Sequence, residues 1–119
     1  MSRRIRNRGA AKLQAHAAVF AALGDETRLA LVARLADGHA HSISHLTEGS
    51  RLTRQAITKH LRVLQNAGMV RHTRMGRESR FAFDPQPIVG IQDYLFRVSE
   101  QWDAALLRLK TFVENGNPG

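Results

Sequence analysis

The sequence predicts one mainly α-helical domain of about five helices that carries a small two-stranded β-hairpin. Three observations point to that class. Apolar residues recur at helical spacing along most of the chain, strand-like segments are confined to Met69 through Phe83, and Gly or Pro punctuates the ends of the periodic stretches. With 119 residues and 43% apolar side chains, the chain has material for one compact core and little for a second.

Residues 1–12 are polar and basic without periodicity, which predicts a mobile arm; residues 13–114 make the folded body and 115–119 a polar tail. From Leu13 to Leu23 the residues Leu13, Ala17 and Phe20 recur at helical spacing, and Gly24 closes this first helix. Asp25 is placed to cap a second helix reaching Ala36, whose density of Leu, Val and Ala predicts contact on most sides. After a His39-Ala40-His41 loop, Ser42 can cap a short helix from Ile43 to about Glu48, and Gly49-Ser50 supply a turn. Thr53 caps the next helix, which runs to Asn66 with Ala56, Ile57, Leu61 and Leu64 facing inward. Met69 to Arg74 and Ser79 to Phe83 then flank Met75-Gly76-Arg77-Glu78, where Gly76 can supply a positive φ for a hairpin. Asp84-Pro85-Gln86-Pro87 breaks the chain before a long helix from about Ile88 to Glu114. Two short helices around a Gly-containing turn, followed by a hairpin, form the pattern of a winged helix-turn-helix.

Charge narrows the class of partner. The net charge of +8 and a pI near 11.4 favour a polyanion. Residues 1–12 hold five Lys or Arg and no acid, residues 51–80 hold eight against the single acid Glu78, and the remainder holds five against nine acids. Positive charge is therefore concentrated in the arm and in one central segment, the footprint of a polyanion rather than of a mixed solvated surface.

That central segment contains the candidate reading head. A helix of about 14 residues is roughly 21 Å long and suits the major groove of duplex DNA. Its outward residues are Arg54, Gln55, Thr58, Lys59 and Arg62. Arg54 and Gln55 can pair bidentately with guanine and adenine edges, and Thr58 can touch a thymine methyl, whereas Lys59 and Arg62 suit phosphates. No acid lies between Arg51 and Arg77, although a helix kept soluble for its own sake usually carries Glu beside its cations. On the hairpin, Arg74 and Arg77 bracket Gly76 and suit the backbone or the minor groove, while Arg71 and Arg80 fit either that role or ordinary surface charge.

A second signal runs along the last helix. Ile91, Leu95, Val98, Trp102, Ala105, Leu109 and Phe112 alternate spacings of four and three, with Leu106 and Val113 widening the stripe. Such a seam, joined by Leu13, Ala17 and Phe20 of the first helix, predicts a homodimer, because an uncovered stripe of that length would be an unusually large apolar patch. Two reading helices related by a twofold axis would read an inverted repeat.

The run Phe20 to Leu29 (FAALGDETRL), the stretch Thr53 to Val70 (TRQAITKHLRVLQNAGMV) and the Gly76-Arg77 wing resemble the ArsR/SmtB family of winged-helix repressors over about residues 14–114. The resemblance implies a homodimer built by the first and last helices, an inverted-repeat operator on double-stranded DNA and, usually, release on an inducing signal whose identity it does not specify. The family's thiolate metal site would map onto Ser42 and Ser44, which lack sulfur, and its site on the last helix is absent because that helix has no histidine. His60 matches a family position and is expected to support the recognition helix.

His39, His41 and His45 are the remaining metal candidates, but loop histidines at this spacing are weakly specific, and no cofactor is expected. A metal-responsive repressor using that cluster, and an architectural protein that binds all DNA alike, are the alternatives to a sequence-specific repressor. The chain has no cysteine, no phosphate-cradling Gly-rich loop and no close carboxylate pair suited to a pocket, so no enzyme is expected; Asp25-Glu26 fits capping. No apolar run approaches the roughly 18 residues of a membrane span, and the basic N-terminus is followed by no signal core, which predicts a cytoplasmic protein.

Overall fold

The computed structural model describes residues 2–116, with side chains described from residue 8. In chain order it contains α1 (Ser2–Leu23), α2 (Glu26–Leu35), β1 (His41–Ser42), α3 (Ile43–Thr47), α4 (Arg54–Asn66), β2 (Val70–Met75), β3 (Glu78–Phe83) and α5 (Gln86–Asn115). This is a winged helix-turn-helix, with α3 and α4 as the two-helix motif and β2–β3 as the wing.

Capping sets the helix starts where the sequence places them. Asp25 Oδ2 accepts the Arg28 backbone N–H at 3.0 Å, Ser42 Oγ accepts that of His45 at 3.0 Å, and Thr53 Oγ1 accepts that of Ala56 at 3.1 Å. Each of these bonds satisfies an N–H that the helix itself leaves unpaired. The turn between α3 and α4 passes through Gly49 at φ 72°, and the wing turns through Gly76 at φ 64°. Both values lie in the left-handed region, where a Cβ is strained and glycine is not.

The Arg28 N–H is the largest of the influences that hold the Asp25 carboxyl below its ordinary value of 3.8, with the Arg28 and His60 charges adding to it. A carboxylate depressed in the folded state stabilises it above the unfolded pKa, and that contribution disappears as pH falls through the lower folded value. Asp25→Ala is therefore expected to lower the thermal midpoint at neutral pH and to converge on the parent as pH drops below the ordinary carboxylate range. A midpoint deficit that is constant from neutral to strongly acid pH would contradict this role.

Leu35, Leu46, Ile57, Leu61, Leu64 and Met69 are fully buried and form the centre of the core, which Val19, Ala22, Leu31, Val70, Phe81 and Ile91 complete. Every helix contributes, even the short α3 through Leu46, so the body is held by burial of apolar area rather than by buried ion pairs. Gly90 lies where α5 crosses α1. A Cβ there would meet only His16, at 3.6 Å, an ordinary contact. Gly90→Ala should therefore raise stability by about 0.5–1 kcal/mol in chemical denaturation, through helix propensity alone, and a loss would show that the crossing is tighter than described.

Several elements differ from the sequence expectation. The first helix begins at Ser2 rather than Leu13, so the backbone of the basic stretch expected as a mobile arm is helical. Arg, Ala, Lys and Leu are strong helix formers that extend an existing helix without any apolar periodicity, and Gly9 costs only about 1 kcal/mol. Met1 and residues 117–119 of the polar tail lie outside the described residues. The loop through His41 contains a short strand, since His41 and Ser42 pair with Phe81 and Arg80 to give an antiparallel sheet ordered β1-β3-β2. The second helix is not surrounded: Leu31 and Leu35 are buried, but Leu29, Ala30, Ala33 and Ala36 face solvent because α1, α4 and β3 cover only one side of it.

The molecule is elongated, measuring 73 × 41 × 22 Å with a Cα radius of gyration of 20.4 Å. A compact chain of this length would have about 13–14 Å. The excess comes largely from the 30-residue α5, whose first turns rest on the core while the remainder extends past it.

Candidate nucleic-acid interface

Ile57, Leu61 and Leu64 bury one face of α4 and so fix the direction of the other. On that outer face Arg54, Gln55, Thr58, Lys59 and Arg62 line one shallow concavity. The Thr58 hydroxyl donates to the Arg54 carbonyl at 2.8 Å, which commits its proton to the backbone and leaves its methyl group for apolar contact. Arg54 Nη1 donates to Ser44 Oγ at 3.3 Å, tying the first residue of α4 to α3.

The wing meets this surface at one end. Arg54 and Arg77 line a common cleft with Ser44, Met75 and Glu78. Arg74 is exposed on β2 opposite Ser79 and is not among the residues of that cleft. The other two wing arginines are partly neutralised: Arg80 Nε and Nη2 donate to Glu78 Oε2 at 3.1 and 3.0 Å, and Arg71 Nε lies 3.7 Å from Asp84 Oδ2. Among the described residues, Lys59, Arg62, Arg74 and Arg77 carry no ion pair. Their charge is thus available to an external anion.

Arg28 was not singled out from the sequence, yet it joins three helices. Its Nε donates to the Ala22 carbonyl at 2.6 Å and its Nη2 to the Ala21 carbonyl at 3.4 Å, at the C-terminal end of α1, while Nη1 lies 3.4 Å from His60 Nδ1 of α4. Cations are favoured at a helix C-terminus, so Arg28 sets α4 relative to α1 at low electrostatic cost. His60, expected to support the recognition helix, lies against Arg28 and 3.8 Å from Asp25. The Asp-Glu-Thr-Arg run was the only local trace of this contact.

The candidate dimer residues divide into three groups. Leu13, Ala17 and Phe20 on α1 and Leu95, Trp102, Leu106 and Leu109 on α5 are exposed, with Trp102 at 65%. Val98 is half-buried against α1. Ile91 is a correction to the expected seam: at 6% exposure it belongs to the chain's own core, because α5 still overlies the body at that point. Phe96 and Leu107, which the heptad pattern does not include, are also exposed on α5.

The histidines converge only in part. His41 Nε2 meets Asp37 Oδ2 at 2.9 Å, and His41 Nδ1 meets His45 Nδ1 at 2.9 Å, with ring planes within 7°. His39 enters only through its backbone N–H, which donates to Asp37 at 2.9 Å. The His41 bond, followed by the His39 N–H, holds the Asp37 carboxyl below its ordinary range. The nitrogens facing each other across a hydrogen bond do not point at a shared centre, and among the described residues no group of three His, Asp or Glu side chains is arranged to hold a metal.

A cationic helix in a two-helix motif and a hairpin carrying arginines without ion pairs define a winged helix-turn-helix module of the DNA-binding class. Among the described residues, no helix is long and apolar enough to cross a membrane. A helix-turn-helix domain profile matches residues 23–73. The chain is 36% identical over 77 residues to YuzN of Bacillus subtilis, an uncharacterized HTH-type transcriptional regulator, covering 60% of this chain and 84% of that one. An ArsR-like transcriptional regulator from Rhodococcus sp. RHA1 superimposes with a TM-score of 0.75 at 36% identity, over 84% of this chain and 93% of the other. A second solved ArsR family regulator gives 0.68 at 26% identity, over 79% and 93%. The protein belongs to the ArsR family of winged helix-turn-helix transcription regulators.

Proposed function

We propose that the protein is a dimeric, sequence-specific repressor that binds an inverted-repeat operator in the cytoplasm and blocks transcription by occupying promoter DNA. The observation that carries this reading is the pairing of one cationic recognition face with one uncovered apolar seam. Trp102, Leu106, Leu109, Phe112 and Val113 each remain more than half exposed on a helix that leaves the body. A second copy of the chain offers the matching α1 and α5 surfaces and would bury them about a twofold axis.

In the complex, Arg54 and Gln55 read base edges, Thr58 meets a thymine methyl, and Lys59 and Arg62 hold phosphates. Arg74 and Arg77 anchor the wing on the backbone or in the minor groove. Arg77→Ala should accordingly weaken operator and random DNA to a similar extent and reduce the salt slope of binding by about one, as measured in titrations at several salt concentrations. Loss confined to the operator would transfer Arg77 to base reading.

Selection of bound sites from random duplex DNA, with and without divalent metal, tests the function as a whole. An inverted repeat recovered in both conditions is the expected result. Recovery of no preferred sequence would favour an architectural DNA-binding protein, and a preference that appears or vanishes with metal would favour a metal-responsive repressor.

A further inference from the structure

We propose that the cleft between α1 and α5 is a binding site for a small organic monoanion, a carboxylate carried on a single ring, and that its occupancy adjusts the regulator's hold on DNA. The second half rests on the dimeric reading above; the first does not. The cleft has a volume of about 260 Å³ and is lined by Lys12, Leu13 and His16 from α1 and by Asp93, Tyr94, Arg97, Val98 and Gln101 from α5. This is below the usual range of about 300–1,000 Å³ for drug-sized ligands, and a one-ring molecule fits it.

Charge selects the class. Arg97 is held by Asp93 at 3.1 Å, which cancels one cation, whereas Lys12 has no ion-pair partner among the described residues, so the lining is left with one net positive charge. Two further polar groups are presented. His16 and Tyr94 are half-buried and meet edge to face, with centroids 5.1 Å apart and planes at 88°, and neither the tyrosine hydroxyl nor the imidazole nitrogens have a hydrogen-bond partner among the described residues. Both groups keep access to solvent, so a ligand can replace their water with a direct hydrogen bond. Leu13 and Val98 supply the apolar wall for the ring.

Position gives the site its consequence. Leu13 and Val98 belong both to the cleft and to the proposed dimer seam, so a ligand that widens the α1–α5 crossing also moves the surfaces that set the separation of the two recognition helices. Binding that differs between the two spacings shifts operator affinity, and operator DNA must then shift ligand affinity by the same factor.

The test uses the full chain with benzoate as the anionic probe and benzamide as its neutral isostere, followed by calorimetry and by amide shifts. Expected are saturable binding of one benzoate per chain, about tenfold weaker binding of benzamide, and about tenfold loss of benzoate affinity in Lys12→Gln with benzamide unchanged. Tyr94→Phe, which keeps the ring and the packing, should weaken benzoate several-fold. No saturation, equal affinity for the two probes, or undiminished benzoate binding in Lys12→Gln would each overturn the site. Operator titrations with benzoate at saturation then address the coupling: altered affinity supports it, and unaltered affinity with binding intact refutes it. Because the binding arm contains no DNA, its failure is distinguishable from a failure of the repressor reading.

Discussion

Introducing glutamate at both Leu95 and Trp102 should convert the protein to a monomer and reduce operator affinity by about 10²–10⁴-fold, the range over which joining two binding modules raises avidity. Both side chains are exposed on the stripe of α5 that faces away from the chain's own core, so the isolated fold has no need of them. In a dimer each would be desolvated, and an unpaired carboxylate in that environment costs several kcal/mol or prevents association outright. Circular dichroism should show helical content unchanged in the variant. Glu100→Gln, on the opposite side of the helix, serves as the control that keeps the dimer. Dimers that persist after the double substitution would place the interface elsewhere.

Loss of Gln55 or Arg54 should act differently, lowering affinity for the preferred site by about 1–3 kcal/mol, roughly 5- to 150-fold, while relaxing base preference at one position of each half-site. Both residues occupy the first turn of α4, the part of a recognition helix that lies nearest base edges. The Arg54 bond to Ser44 Oγ is long at 3.3 Å and can be exchanged for a base acceptor. Competition against random DNA separates the roles: Gln55→Ala and Arg54→Ala reduce the ratio of specific to non-specific binding, whereas Arg77→Ala leaves that ratio nearly intact. Equal losses on both DNAs for all three would remove the division between reading and anchoring.

The parts of this arrangement that are local in the chain were legible in the sequence. Asp25, Ser42 and Thr53 cap the helices expected of them, Gly76 turns the wing, and Ile57, Leu61 and Leu64 bury the predicted face of α4. What depends on distant partners was not. The two-residue β1 has no pattern of its own and exists because β3, about forty residues on, completes its hydrogen bonds. Arg28 reads as an ordinary helical cation until α4 brings His60 beside it. The α5 heptad runs without interruption through Ile91, and nothing in its period marks where the helix leaves the core. The basic residues before Leu13 form helix through propensity, to which a search for apolar periodicity is blind. The same reasoning accounts for the histidines, which sequence proximity grouped as three. Backbone geometry joins His41 to His45 and replaces the His39 ring with the Asp37 carboxylate.

Sedimentation equilibrium of the purified chain, alone and with a duplex containing one selected site, is the most direct check on two copies presenting paired recognition helices. A free species of twice the 13.3 kDa chain, and two chains on each duplex, is the expected result. A single chain in solution that remains single on the DNA would contradict it.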